Sequence, residues 1–147
     1  DVHRLRRRFI HIETLLTTGD SEERHMADAK PTILIVDDDW AILTLLVEVL
    51  ETSYNVIEAS NGKQAVELFG ERGDEIDVVL LDLAMFEMSG YEALAQMQVA
   101  DPDVRVIVVT GAEAQHDRLP GILGVLTKPV QAEAVLTAVD DVLNAFQ

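Results

Sequence analysis

The sequence predicts an α/β domain with helices on both faces of a parallel sheet. From residue 32 onward, β-branched apolar runs alternate with segments in which apolar residues recur about every 3.6 positions. The runs in the middle of the domain are apolar almost throughout, as expected for strands that helices cover on both faces. Five such alternations predict five βα units.

The predicted elements follow this alternation in order. The strands are short runs of β-branched and aliphatic residues near residues 32–36, 54–58, 77–81, 104–109 and 123–126. The helices have an apolar stripe and run near residues 39–52, 62–71, 90–99 and 131–146, with a weaker pattern between about 113 and 119. Pro120 and Gly121 interrupt helical order after that weaker segment.

Length and composition limit the chain to one domain and exclude several kinds of site. The 147 residues are 48% apolar, which is enough for one full core. No apolar stretch reaches the roughly 18 residues that span a bilayer and no secretory signal pattern is present, so we expect a cytoplasmic protein. The absence of cysteine excludes disulfides, thiolate ligands and thiol nucleophiles. Any metal would be held by oxygen or imidazole, which favours Mg²⁺ or Mn²⁺.

Charge is distributed unevenly along the chain. The net charge is −16, and residues 1–25 hold five Arg against five acids. The remainder therefore carries six basic residues against 22 acidic ones. Such a surface repels nucleic acid and anionic membranes, so we expect no direct DNA binding and partners that are proteins or small ions.

Residues 1–30 are predicted to be an appendage to a domain that spans residues 31–147. Apolar residues recur in the first sixteen positions at helical spacing, with four Arg between them, which predicts a basic amphipathic helix followed by a polar linker. The His25-Met26 junction is compatible with a natural start at Met26 and a non-native segment before it. The alternatives are a helix for dimerisation, for a membrane surface or for docking.

The polar side chains of greatest interest lie where predicted strands end. They are Asp37, Asp38 and Asp39 after the first strand, Asp82 after the third, Thr110 after the fourth and Lys128 after the fifth. The carboxyl ends of parallel strands share one edge of a sheet, so these groups converge in a crevice. Adjacent carboxylates repel one another unless a cation gathers them, and the set suits a divalent metal with a phosphoryl group.

Each of these residues has a simpler interpretation when taken alone. An Asp at position 38 or 39 is ordinarily a helix cap, and this remains the better interpretation of Asp39. Thr110 and Lys128 would be an ordinary strand end and an ordinary turn. Their joint occurrence at one sheet edge favours a functional site. Trp40 follows the acidic run and is expected to pack partly over that site.

Four motifs occur in an order that resembles a known family. They are Ile35-Val36-Asp37-Asp38-Asp39, Leu80-Leu81-Asp82 with Met85, Met88 and Gly90 after it, Val109-Thr110-Gly111, and Thr127-Lys128-Pro129. Over roughly residues 31 to 146 the chain resembles the receiver domain of two-component response regulators, especially the chemotaxis regulators. The resemblance implies a flavodoxin-like, doubly wound sheet of five parallel strands in the order 2-1-3-4-5.

The resemblance also implies the chemistry of the crevice. Asp82 would accept a phosphoryl group from a histidine kinase or phosphotransfer protein, with Mg²⁺ held by Asp38, Asp82 and the carbonyl of Ala84. Asp37 would act through metal-bound water, Thr110 and Lys128 would hold phosphoryl oxygens, and the Lys128-Pro129 bond would be cis. Such a domain is a signalling switch that catalyses only its own phosphotransfer and slow dephosphorylation, rather than a conventional enzyme.

Three departures from the family pattern keep other functions open. Phe86 replaces a proline, Val125 stands where many receivers have an aromatic ring, and the segment between Thr110 and Lys128 is about one helical turn short. Val125 and the shortened segment favour a receiver-like module that binds partners without phosphorylation. A further alternative is a small Mg²⁺-dependent aspartyl phosphohydrolase, since Asp37-x-Asp39 has the spacing of such enzymes, although no Thr follows it.

Overall fold

The computed structural model describes residues 30–85, 87–111 and 119–145. Within these ranges, strands and α-helices alternate, with a short 3₁₀ helix, Gly73–Glu75, after the second α-helix. The elements are β1 (Thr32–Val36), α1 (Trp40–Leu50), β2 (Asn55–Ala59), α2 (Gly62–Arg72), β3 (Val78–Leu81), α3 (Gly90–Ala100), β4 (Val106–Thr110), β5 (Ile122–Thr127) and α4 (Ala132–Asn144).

The strands form one parallel sheet in the order β2-β1-β3-β4-β5. The predicted fold class and strand order are therefore confirmed. Observed strand boundaries lie within two residues of the predicted ones, the largest difference being at β4, which begins at Val106 rather than near residue 104. The weaker helix predicted between about 113 and 119 lies almost wholly outside the described residues, as do residues 1–29 of the appendage predicted over residues 1–30.

The core lies on both faces of the sheet, because alternate residues of each central strand point to opposite sides. On one face, Leu34, Leu81 and their neighbours pack against α2 and α3. On the other face, Ile35, Leu80 and their neighbours pack against α1 and α4. Every residue of β1, β3 and β4 is buried, which explains their continuous apolar sequences. No helix in the described ranges is long and apolar enough to cross a membrane.

Side-chain caps fix where three of the helices begin. The Asp39 carboxylate accepts hydrogen bonds from the N–H groups of Ala41 and Ile42 at 2.9 and 3.4 Å, so Asp39 caps α1 as predicted. Asn61 caps α2, and Ser89 caps α3. These caps set the helix starts next to the carboxyl edge of the sheet, where the candidate site lies.

Candidate phosphoacceptor site

Backbone hydrogen bonds hold the polar residues at one edge of the sheet. The N–H of Asp37 donates to the carbonyl of Ala59 at 3.1 Å, and the N–H of Asp82 donates to the carbonyl of Val36 at 3.0 Å. The N–H of Lys128 donates to the carbonyl of Thr110 at 2.8 Å. Each bond continues the sheet ladder past a strand end, so the side chains are placed by the most rigid part of the fold.

Three carboxylates gather at this edge. Asp37, Asp38 and Asp82 each offer an oxygen, and these oxygens all lie within 4.8 Å of one another. Asp37 and Asp82 are buried, whereas Asp38 is exposed. The N–H of Ala84 donates to Oδ1 of Asp82 at 3.0 Å and so orients that carboxylate. A set of carboxylate oxygens with one side open to solvent fits a hard divalent cation.

Lys128 reaches both buried carboxylates. Its Nζ lies 2.9 Å from Oδ2 of Asp37 and 3.3 Å from Oδ2 of Asp82. Burial on its own would lower the pKa of Lys128, but the hydrogen bonds and charges of Asp37 and Asp82 outweigh it and raise that pKa. Lys128 therefore remains an ammonium at neutral pH, paired with both buried carboxylates.

The pKa of the Asp82 carboxyl is raised. Burial is the largest cause, and the neighbouring charge of Asp37 adds to it. The N–H of Ala84 and the ammonium of Lys128 act in the opposite direction and are outweighed. The ionised form of Asp82 is therefore held in the crevice at the expense of folding stability.

Thr110 contributes a buried hydroxyl to this edge of the sheet. The residue is fully buried, and its Oγ1 has no hydrogen-bond partner among the described residues. Leaving such a group unpaired costs roughly 1–3 kcal/mol, so a hydroxyl of this kind at a ligand crevice indicates a partner supplied by a ligand. The carboxylates, the ammonium and this hydroxyl together fit a divalent cation and an anionic oxygen.

We expect the Asp82→Asn variant, free of metal, to be more stable than wild type at pH 7.5, with a higher melting temperature. The folded state binds the Asp82 proton more tightly than the unfolded state, so ionisation above the ordinary pKa of 3.8 destabilises the fold. The difference should shrink as the pH is lowered towards that value. Thermal unfolding in EDTA measures it, with Asp39→Asn as the control because Asn also caps helices. A pH-independent difference would contradict this origin.

Four other features noted in the sequence can be compared with the structure. Trp40 is 77% exposed and lies mostly in solvent, where the sequence predicted a side chain packed partly over the site. Val125 lies on the edge strand β5 and is 37% exposed. The Lys128-Pro129 bond is cis, as expected. Phe86 lies outside the described residues.

Gly90 is a residue of the site whose role sequence reasoning missed. A Cβ built on Gly90 would lie 2.1 Å from the carbonyl oxygen of Asp82 and 2.5 Å from Cα of Leu83. Only glycine allows α3 to begin this close to the backbone of Asp82. The available signal was a glycine at the start of a predicted helix, where a residue with a side chain would ordinarily serve better.

Comparison with known proteins gives a consistent result. The family model for the response regulator receiver domain matches residues 33–140. The chain is 34% identical over 119 residues to the chemotaxis protein CheY of Halobacterium salinarum, which covers 77% of this chain and 97% of that protein. It is 33% identical over 117 residues to the transcriptional regulatory protein GlrR of Escherichia coli, covering 76% of this chain and 26% of GlrR. The chain thus spans about a quarter of the length of that relative.

A solved structure shows the same fold. A chain in the crystal structure of the CheX-CheY-BeF₃-Mg²⁺ complex from Borrelia burgdorferi superimposes with a TM-score of 0.73 at 26% identity. The superposition covers 81% of this chain and 93% of the other. The family match, the extent of the CheY similarity and the strand order agree, and the chain therefore belongs to the response regulator receiver domain family.

Proposed function

We propose that this domain is a phosphorylatable signalling switch or relay, and that Asp82 accepts the phosphoryl group from a histidine kinase or phosphotransfer protein. The observation that carries the proposal is the arrangement around Asp82. Its carboxylate is buried beside two further carboxylates and the ammonium of Lys128, and the unpartnered hydroxyl of Thr110 lies on the adjoining strand. The cytoplasm, where such donors present their phosphohistidines, is the proposed compartment.

The carboxylate cluster supports a metal-assisted reaction. Asp38, Asp82 and the carbonyl of Ala84 would hold Mg²⁺ or Mn²⁺, with Asp37 contributing through water. The cation would supply the positive charge that offsets repulsion between the acceptor and the incoming phosphoryl group. The presence of BeF₃ and Mg²⁺ in the Borrelia CheX-CheY complex agrees with this assignment.

Three side chains of this domain would then take part in the transfer of the phosphoryl group. An Asp82 oxygen attacks phosphorus, an O–P bond forms, the P–N bond of the phosphohistidine breaks, and the donor nitrogen retains the electron pair. Lys128 pairs with one phosphoryl oxygen through a charge-assisted contact. The hydroxyl of Thr110, which has no hydrogen-bond partner among the described residues, donates to another phosphoryl oxygen. The developing charge meets groups that are already in place.

The alternative functions have less support. A phosphohydrolase of the Asp-x-Asp type would need Asp39 as a catalytic acid, but that carboxylate already accepts two backbone hydrogen bonds at the start of α1. The alternative of a module that works without phosphorylation is favoured by Val125, which is exposed on β5. Valine has no aromatic ring whose movement could transmit a change at the site. The strongly acidic surface disfavours direct contact with nucleic acid.

Phosphorylation itself tests the proposal. With acetyl phosphate and Mg²⁺, the protein should take up one phosphoryl group per chain, as measured by intact mass, and lose it slowly. The same incubation with EDTA should leave the mass unchanged. Sustained release of inorganic phosphate over many turnovers would support the hydrolase instead, and no uptake with intact fold would support the module that works without phosphorylation.

A further inference from the structure

The first residue of α2 lies against the loop that follows the phosphoacceptor. A Cβ built on Gly62 would lie 2.7 Å from the carbonyl oxygen of Met88, 3.0 Å from its Cγ and 3.1 Å from its Cβ. Gly62 is buried, and Met88 packs at the margin of the core beneath α2 and α3. A side chain at position 62 would therefore fit only if Met88 moved.

Met88 is close in the chain to groups that touch Asp82 directly. Two residues later, the N–H of Gly90 donates to the carbonyl of Leu83 at 3.1 Å, and α3 begins against the Asp82 backbone. At the other end of the connection, the N–H of Ala84 holds Oδ1 of Asp82. We call residues 83–85 and 87–89 the acceptor loop.

The backbone beside Met88 is held in an uncommon conformation. Glu87 has a φ of +64°, which a residue with a side chain adopts at some cost in energy. Such a conformation persists when neighbouring contacts enforce it. The close approach of Gly62 to Met88 adjoins this residue.

We propose that Gly62 and Met88 are positioning residues, and that their contact clamps the acceptor loop so that the Asp82 carboxylate is presented to the phosphodonor in a reactive orientation. The inference rests on the proposed function, because its main consequence is for phosphotransfer. Neither residue touches the reacting atoms. A Cβ at position 62 forces the Met88 carbonyl away from 2.7 Å towards an ordinary contact of at least 3.4 Å, and small displacements of reacting groups cost rate steeply.

The chain offers a matched control on the same helix. Gly70 also lies in α2, but outside its own helix a Cβ there would have no atom of the described residues within 4 Å. Gly62→Ala and Gly70→Ala are thus the same chemical change in one helix, with and without the contact. Met88→Ala is the second variant: it removes the Cγ contact from the loop side without adding bulk, and keeps the carbonyl and Cβ of residue 88.

The experiment measures phosphorylation by acetyl phosphate at saturating Mg²⁺, at a temperature where circular dichroism shows every variant folded. We expect the maximal rate of Gly62→Ala to fall about tenfold, with the half-saturating acetyl phosphate concentration within about twofold of wild type. Gly70→Ala should match wild type. Met88→Ala should be slowed in the same sense, and the double variant should be slowed by less than the product of the single effects.

The possible results distinguish a failure of the proposed clamp from a failure of the proposed function. Equal maximal rates for Gly62→Ala, Met88→Ala and Gly70→Ala would overturn the clamp while leaving the function intact. If Gly62→Ala does not fold, the rate of Met88→Ala decides. If wild type takes up no phosphoryl group, the proposed function fails. Amide hydrogen exchange at residues 87–89 then decides the contact, which is supported by faster exchange in Met88→Ala than in Gly70→Ala and refuted by equal exchange.

Discussion

The Asp82→Asn variant is expected to take up no phosphoryl group from acetyl phosphate in the presence of Mg²⁺. Asparagine keeps the size of the side chain and an oxygen that can accept the Ala84 N–H, so the loop stays in place. It removes the anionic nucleophile, and loss of a nucleophile that acts with a prearranged site costs at least about a hundredfold in rate. Intact mass after incubation gives the level of modification directly.

Two neighbouring variants serve as controls for that loss. Asp39→Asn should be phosphorylated like wild type, because Asp39 is exposed and its capping role is retained by asparagine. Asp38→Asn should be modified more slowly, with the phosphoryl group still mapped to the peptide that contains Asp82. Undiminished modification of Asp82→Asn, or modification mapped to another carboxylate in wild type, would show that the acceptor has been assigned to the wrong residue.

The Gly90→Ala variant is expected to lose about 3 kcal/mol of unfolding free energy, at the upper end of what an inserted methyl group costs in a packed region. The three atoms nearest the added Cβ would be backbone atoms of Asp82 and Leu83, at 2.1 to 2.9 Å, and this backbone is hydrogen-bonded to Val36 and Gly90, so it cannot move aside as a flexible side chain can. The greater helix propensity of alanine offsets at most about 1 kcal/mol of this cost.

Urea unfolding of Gly90→Ala measures the loss, and two other glycines calibrate it. Gly111→Ala and Gly70→Ala introduce a methyl group with no atom of the described residues within 4 Å other than those of its own neighbours in the chain or helix. Gly70 lies inside α2, so its replacement should stabilise the domain by up to about 1 kcal/mol. If the unfolding free energy of Gly90→Ala lies within about 0.5 kcal/mol of wild type, the start of α3 does not lie against the backbone of Asp82 as described.

The fold and most of the site could be predicted because both depend on local patterns. Continuous apolar runs mark strands buried on both faces, and a parallel sheet brings all strand ends to one edge. Asp82 and Lys128 are 46 residues apart in sequence, yet their meeting follows from that rule together with the strand order. The order itself came from the resemblance, because periodicity does not determine which strands are neighbours.

What the sequence did not predict depends on contacts between distant segments. The exposure of Trp40 depends on what surrounds the start of α1, and no motif encodes it. The approach of Gly62 to Met88 joins two βα units, and a single glycine in a helical pattern does not identify its neighbour. Val104 and Arg105 are both buried, as residues of a central strand are. The pairing of β4 with β5 nevertheless begins only at Val106.

The carboxylate cluster with its single lysine has a consequence for charge balance. Asp37, Asp38 and Asp82 in their ionised forms, with protonated Lys128, carry a formal charge of −2. A divalent cation brings the formal charge of this edge to zero. A monovalent cation would leave it at −1, and a trivalent cation would make it +1. The charge of the ion, as well as its size, would therefore select which ion binds. Replacing the Asp82 carboxylate by a phosphoryl dianion then leaves the edge one charge more negative. A partner at this edge would meet a different electrostatic potential in each state, even where the backbone has not moved.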